Sequence, residues 1–192
     1  MARAIMKIGT TLQLRSQSGR KAIRQLIKNR EVLSFREADS SDEAFLREML
    51  YHSLYVPDGE QPFERSIVDQ PEIAKYVVSW GRPGDLGVIA LDAPKEQEVG
   101  AAWMRLFSST DPGFGFVDSD IPELAIAVLP GHRGSGVGSA LLQQLFKRAS
   151  SSYDAVSLSV SLANPALRLY ERSGFQHVEV HGDSLTMLKR FQ

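Results

Sequence analysis

The sequence predicts a mixed α/β fold, in which a central sheet of about seven strands is flanked by about four helices. Two observations lead to this prediction: seven short segments have strand character, and four longer ones place apolar residues at helical spacing. A third is a glycine-rich stretch where a strand passes into a helix. With 192 residues, 43% of them hydrophobic, the chain is long enough to form a full core.

The first elements are a strand and two helices. The segment "EVLSFREAD" (31–39) predicts a strand, and the helix over 40–54 follows it directly. Ser40 and Glu43 have the spacing of a capping box at the start of this helix. After a proline-bearing loop, a second helix is predicted over 70–81, with a proline in its first turn and a glycine at its end.

The middle of the chain changes to a period of two and then returns to a helix. Segments 86–92 and 98–108 predict an antiparallel hairpin. Segment 123–129 is apolar almost throughout, which predicts a strand in the centre of the sheet. The helix over 137–149 has its apolar residues on one face and its Gln, Lys and Arg residues on the other.

The last elements are a strand, a short helix and a hairpin. The segment "AVSLSVS" (155–161) alternates as a strand does. A helix is predicted over 164–174, with Asn164 as its cap, proline in its first position and glycine at its end. Segments 175–180 and 184–191, joined by "HGD", predict the closing hairpin.

Charge is distributed unevenly along the chain. Residues 1–30 contain eight Arg or Lys and no acidic residue, whereas residues 31–192 contain fourteen basic and twenty-three acidic residues. We predict a basic N-terminal extension, 1–30, followed by a domain over 31–192. The extension is consistent with a segment outside the chemistry, with organelle targeting or with nucleic-acid contact. It contains no aromatic residue to stack on bases, so nucleic-acid binding is not expected.

Composition excludes several classes of site. The chain has no cysteine, which rules out disulfides, iron–sulfur clusters and a cysteine nucleophile, and fits a reducing, cytoplasmic location. Its four histidines do not have the spacing of metal ligands, so no metal is expected. No apolar run approaches the roughly 20 residues that cross a bilayer, so no membrane association is expected.

The glycine-rich stretch "GHRGSGVGSALLQQLF" (131–146) predicts an anion site. The first N–H groups of a helix lack intrahelical partners, and glycines let an anion approach them closely. The lysine of a nucleotide-binding P-loop is missing, and the G-x-G-x-x-G pattern of dinucleotide-binding proteins fails. The pattern present is R-x-x-G-x-G, formed by Arg133, Gly136 and Gly138.

Two segments resemble the signatures of one family. The segment "ELAIAVLPGHRGSGVGSALL" resembles the acetyl-CoA-binding motif of the GNAT N-acetyltransferase superfamily, and "NPALRLYERSGF" resembles its second signature. The order of elements over 31–192 is similar to the family plan. The resemblance implies a mostly antiparallel sheet. It also implies acetyl transfer from acetyl-CoA to a primary amine by direct attack in a ternary complex, without a metal.

The resemblance also implies roles for individual residues. Backbone groups of three central-strand residues would hold the pantetheine arm: Ile126, Ala127 and Val128. Seven residues would wrap the pyrophosphate: Arg133, Gly134, Ser135, Gly136, Val137, Gly138 and Ser139. Asn164 would contact the cofactor, and Tyr170 would act as general acid beside the departing sulfur. Glu123 is the best-placed general base, working through water.

The acceptor is not identified by the sequence: a small amine, a peptide N-terminus and a lysine all remain open. Two loops, 51–66 and 109–122, are expected to shape its site. The second loop contains acidic and aromatic residues that suit a cationic amine or, alternatively, form a solvated acidic loop: Asp111, Asp118, Asp120, Phe114 and Phe116.

Two other functions remain open: a non-catalytic acyl-CoA sensor, and an acetyltransferase guided to nucleic acid by its basic leader. The chain is expected to be a monomer or a homodimer formed through the last hairpin.

Overall fold

A computed structural model describes residues 33–93 and 95–191; the predicted extension, residues 1–30, lies outside them. The strands are β1 (Leu33–Glu37), β2 (Leu86–Asp92), β3 (Gln97–Arg105), β4 (Glu123–Val128), β5 (Ala155–Ser161), β6 (Gln176–His181) and β7 (Ser184–Arg190). The α-helices of the described part are α1 (Glu43–Ser53), α2 (Pro71–Ala74), α3 (Val137–Ala149) and α4 (Leu167–Arg172). Short 3₁₀ turns lie at Ser40–Asp42, Arg65–Asp69 and Pro130–His132.

The seven strands form one sheet in the order β1-β2-β3-β4-β5-β7-β6. Every pair of neighbours is antiparallel except β4 and β5, which are parallel. The predicted mixed, mostly antiparallel sheet of seven strands with four helices is therefore confirmed. The apolar segment predicted to be central is β4, the fourth strand of the seven.

Each face of the sheet is covered by its own apolar core. On one face the buried side of α3, including Leu141, Leu142 and Leu145, packs with residues of β2, β3, β5 and β7. On the other face Leu46 and Met49 of α1 pack with residues of β2 and β3 and with the segment after α2. The strands β2 and β3 contribute side chains to both cores.

The first helix begins differently from the prediction. The capping box is formed by Asp39 and Asp42, one residue earlier than the predicted pair Ser40 and Glu43. A 3₁₀ turn over Ser40–Asp42 precedes α1, so the chain reaches α-helical geometry only at Glu43. The Glu43 carboxylate instead accepts a hydrogen bond from the backbone N–H of Trp80 at 3.2 Å.

The second helix is much shorter than the predicted 70–81, because side chains of β3 bind the backbone carbonyls after Ala74. The Arg105 guanidinium donates to the carbonyls of Lys75 and Val78 at 2.7 and 2.9 Å. The Trp103 indole N–H donates to the Tyr76 carbonyl at 3.1 Å. These bonds replace those of a continued helix and fix the segment that contains Tyr76 against the sheet.

The fourth helix begins three residues later than predicted. Asn164 is not its cap; its side-chain oxygen accepts from the Ala166 N–H at 2.9 Å and stabilises a turn before Leu167. The helix ends at Arg172, and Gly174 just beyond it has a φ of 90°, the left-handed turn for which a glycine was predicted there.

Candidate functional site

The parallel strands β4 and β5 are joined only where they begin. Glu123 is in register with Ser157, and the Ser157 N–H donates to the Pro122 carbonyl at 3.0 Å. Beyond this point no strand pairing joins them in the described residues, whereas every residue of β4 pairs with β3. The two strands therefore diverge, and the β5-facing edge of β4 has no strand partner. This edge belongs to the residues predicted to bind the cofactor arm: Ile126, Ala127 and Val128.

The predicted anion site lies in the segment between the end of β4 and the start of α3. Gly136 is the residue before α3 and has a φ of 95°, and Gly134 has a φ of 75°. A Cβ added at either glycine would meet no atom within 4 Å, so the turn faces open space. The first N–H groups of α3, at Val137, Gly138 and Ser139, lack intrahelical partners. Helix polarity makes this a suitable place for an anion.

The Arg133 side chain fastens this turn to its surroundings. Its Nε donates to the Val128 carbonyl at 2.9 Å, and one terminal nitrogen donates to the His52 carbonyl at 3.1 Å. The side chain thus connects the glycine turn to the ends of β4 and α1. Arg133 was predicted to bind the pyrophosphate, but two of its N–H donors are already bound to backbone carbonyls.

A cleft of about 480 Å³ opens between the diverging strands, α1 and the loops on that face. Four of the predicted site residues line it: Glu123 and Ile126 of β4, Asn164 in the turn before α4, and Tyr170 of α4. The glycine turn is not among the lining residues. The charged residues that line the cleft are all acidic: Glu60, Glu123 and Asp183.

The Glu123 carboxylate is buried, with only 3% of the residue exposed. Its Oε1 accepts hydrogen bonds from the Tyr76 hydroxyl at 2.6 Å and from the Gly115 N–H at 2.8 Å. Its Oε2 is buried and has no hydrogen-bond partner. Burial raises the pKa of Glu123 to about 7, although the Tyr76 and Gly115 hydrogen bonds and the charge of Lys75 act in the opposite direction.

Tyr170 also lines the cleft and is itself buried. Its ring packs edge-on against Phe175, with 5.9 Å between the ring centroids. Burial raises the pKa of Tyr170 to about 12, so its hydroxyl retains its proton at neutral pH.

The acidic and aromatic loop divides into two parts. Phe114 is 61% exposed and lines the cleft. Asp111 pairs with Lys75 at 2.7 Å, and the Asp118 carboxylate accepts from the Asp120 N–H at 3.1 Å. These three aspartates do not line the cleft, so they do not supply the negative charge there that the sequence suggested.

Sequence reasoning missed the immediate surroundings of Glu123. Tyr76 lies in the segment predicted as a helix over 70–81 and was given no role in the site, yet its hydroxyl donates to the carboxylate at 2.6 Å. Ser157, on the neighbouring strand, is fully buried and its Oγ also lacks a partner. A sequence feature that points to this arrangement is "PGFGF", where Gly113 and Gly115 flank Phe114.

Two kinds of feature are absent from residues 33–93 and 95–191. In that part of the chain no group of three or more His, Asp or Glu side chains is placed to hold a metal ion. None of its helices is both long and apolar enough to cross a membrane.

Sequence comparison connects the chain to acetyltransferases. Residues 83–177 match a family model described as an acetyltransferase (GNAT) domain. An N-alpha-acetyltransferase of Sulfurisphaera tokodaii is 43% identical over 60 residues, which are 30% of this chain and 36% of that protein. The match therefore spans about a third of the length of this curated relative.

Structural comparison connects it to the same group. A GCN5-related N-acetyltransferase from Kribbella flavida has a TM-score of 0.58 at 22% identity, over 84% of this chain and 99% of the other. PaiA N-acetyltransferase from Thermoplasma acidophilum, in complex with coenzyme A, has a TM-score of 0.58 at 17% identity, over 83% and 99%. At these identities the likeness shows a shared fold. The chain is therefore similar to the GNAT acetyltransferases in the sequence of residues 83–177 and in its fold.

Proposed function

We propose that this protein is an N-acetyltransferase that transfers the acetyl group of acetyl-CoA to a primary amine. The observation that carries the proposal is the cleft beside the unpaired edge of β4, which is lined by both Glu123 and Tyr170. The family match and the names of the relatives support the same activity. One structural neighbour was solved in complex with coenzyme A.

The residues at the end of β4 fit acetyl-CoA, which supplies an activated acetyl thioester. The N-terminus of α3, with the open turn at Gly134 and Gly136, suits the negative charges of its pyrophosphate. The β5-facing edge of β4 offers backbone donors and acceptors to the amide groups of its arm. Asn164 lines the cleft between the diverging strands.

Glu123 is the proposed general base. An alkylammonium with a pKa near 10 must lose a proton before its nitrogen can attack a carbonyl carbon. A carboxylate with a pKa of about 7 is matched to proton transfer near neutral pH. Oε2 carries no other hydrogen bond and is buried, so we assign it the proton, received from the acceptor through a water molecule.

Tyr170 is the proposed proton donor to the departing sulfur. Its pKa of about 12 keeps the hydroxyl protonated across the pH range in which Glu123 is ionised. The two groups line the same cleft, so one can remove a proton while the other supplies one.

The lining of the cleft favours a cationic acceptor. Its charged residues are acidic, and Phe63, Tyr76 and Phe114 add aromatic surface. Carboxylates and aromatic rings both attract an ammonium group that carries an apolar body. A primary amine, whether small molecule, peptide N-terminus or lysine, has this chemistry.

The test is a thiol-release screen with acetyl-CoA as donor. The acceptors are small diamines, amino acids, peptides with free N-termini, and lysine peptides with blocked N-termini. We expect CoA release with at least one class and an acetylated product by mass spectrometry. Binding of CoA in calorimetry with no release for any acceptor would contradict the proposal and indicate a cofactor sensor instead.

A further inference from the structure

The Glu123 carboxylate is held through one oxygen only. Both of its hydrogen bonds, from the Tyr76 hydroxyl and the Gly115 N–H, go to Oε1. The other oxygen, Oε2, is buried and carries none. A buried carboxylate oxygen without a partner is costly, so its retention needs an explanation.

The turn beside this carboxylate depends on two glycines because of space. A Cβ at Gly113 would overlap Glu123 Oε2 and would lie 2.8 Å from the Tyr76 hydroxyl oxygen. A Cβ at Gly115 would lie 2.5 Å from the Ser159 nitrogen on β5. Neither glycine has a positive φ, so close approach is the reason for both. The turn is thus pressed between Glu123 and β5.

Tyr76 connects this turn to the carboxylate. Its hydroxyl accepts from the Phe114 N–H at 2.7 Å while donating to Glu123. Its ring lies parallel to that of Phe114 at 6.1 Å and packs on Phe107 at 4.8 Å. Burial and the neighbouring carboxylate raise the pKa of Tyr76, so the hydroxyl remains a donor. The orientation of the hydroxyl is therefore set by Phe114 on one side and Glu123 on the other.

We propose that Tyr76, with the turn over 113–115, is a positioning residue that fixes Glu123 through Oε1 and leaves Oε2 as the oxygen that takes the acceptor's proton. The inference rests on the proposed function, because it assigns a role within the same proton transfer. Phe114, in the same turn, lines the acceptor cleft. The unit therefore places an acceptor-contacting side chain and the base in one fixed arrangement.

Other charges near Glu123 are already paired. Lys75, whose charge acts to lower the pKa of Glu123, binds Asp111 at 2.7 Å. Arg105 is opposite Glu123 in the register of β3, but its guanidinium binds Asp85 at 2.6 Å. On the β5 side Ser157 presents a neutral hydroxyl. Glu60 and Asp183 also line the cleft, and a proton transfer measured there must be separated from theirs.

The test is the pH profile of kcat/KM for Tyr76→Phe, with an acceptor from the thiol-release screen. The Tyr76 hydroxyl stabilises the ionised form of Glu123 and so lowers its pKa. Its loss should move the acidic limb to higher pH by roughly 1 unit, since a hydrogen bond to a charged group has about that effect. CoA affinity should not change. The matched control is Tyr153→Phe, which removes a hydroxyl bonded to the Gly84 carbonyl outside the cleft. Its profile should match that of the wild type.

A double variant tests whether Tyr76 acts through Glu123. In a Glu123→Gln background, Tyr76→Phe should produce no further shift of the profile. Should Tyr76→Phe fail to fold, 3-fluorotyrosine at position 76 keeps the ring and the hydroxyl but makes the hydroxyl a stronger donor, and it should move the limb to lower pH.

Two results overturn the positioning role: an unshifted acidic limb in a folded Tyr76→Phe protein or in the 3-fluorotyrosine protein, or a full further shift in the double variant. If Glu123→Gln alone leaves the wild-type profile unchanged, Glu123 is not the base. That result removes the proposed proton transfer itself, and the positioning role with it.

Discussion

Two substitutions at Gly136 can distinguish the effect of charge at the glycine turn from the effect of its backbone conformation. The matched pair is Gly136→Glu and Gly136→Gln, whose side chains have nearly the same size and differ by one negative charge. A Cβ at this position meets no atom within 4 Å, so neither variant is expected to clash. Both keep the φ of 95°, a left-handed conformation that costs a side-chain-bearing residue about 1–2 kcal/mol.

The charge should act on stability and on binding in opposite directions. A carboxylate beside the N-terminus of α3 favours the helix by about 0.3–1 kcal/mol, so the Glu variant should be at least as stable as the Gln variant. Two unit charges about 4 Å apart in water repel by about 1 kcal/mol. A pyrophosphate with two charges should therefore bind the Glu variant about 2 kcal/mol, or roughly 30-fold, more weakly.

The assay is calorimetric titration of both variants with CoA, with pantetheine, which lacks phosphates, as the control ligand. The difference between the variants should appear with CoA, diminish at high salt and vanish with pantetheine. Urea unfolding of both proteins checks that stability does not explain the result. Equal CoA affinity in the two folded variants would refute the assignment of the pyrophosphate to this turn.

The remaining predictions concern stability and the surroundings of the base. Asp85→Asn leaves the buried Arg105 guanidinium without its 2.6 Å partner and should lower the urea unfolding free energy by about 3–5 kcal/mol; a loss below about 1 kcal/mol would count against this. Gly113→Ala places a methyl group against Glu123 Oε2, so we expect turnover to fall at least roughly tenfold with CoA affinity unchanged. Unchanged turnover would show that the turn accommodates the methyl group, and it would contradict this expectation. Because burial raises the pKa of Glu123 from 4.5 to about 7, the folded chain keeps the proton of Glu123 to a higher pH than the unfolded chain does. The contribution of Glu123 to the free energy of unfolding should therefore fall by up to about 3 kcal/mol between pH 4.5 and 7 and stay constant above pH 7. Glu123→Gln should remove that slope, and equal slopes in urea unfolding of the two proteins would contradict it.

Periodic patterns predicted most of the fold, because they report local geometry and burial together. The alternation in β5 and the apolar stripe of α3 each appear in the structure close to the predicted bounds. The central position of β4 followed from its nearly continuous apolar character. The end of α2 was not predictable in this way. Its carbonyls are taken by Arg105, which lies on a strand about thirty residues later in the chain.

The candidate site was predicted only in part, because several of its contacts join residues that are far apart in the chain. Glu123 was selected from its place at the start of a strand, but its burial depends on the turn at 113–115 packing over it. The partnership with Tyr76 joins residues 47 positions apart, and no local pattern encodes such a contact. The capping box shifted by one residue because Asp39 and Asp42 form the same reciprocal bonds that Ser40 and Glu43 could have formed.

The central claim, that Glu123 deprotonates an amine acceptor, is tested most directly by the pH profile of kcat/KM for Glu123→Gln beside the wild type, from about pH 6 to 10. Loss of a general base typically lowers turnover by roughly 10² to 10⁴. We predict a loss of this size near neutral pH, with unchanged CoA affinity. The rate should recover as the pH approaches the acceptor's own pKa, near 10, where the free amine needs no base. Parallel profiles separated by less than about tenfold would contradict the account.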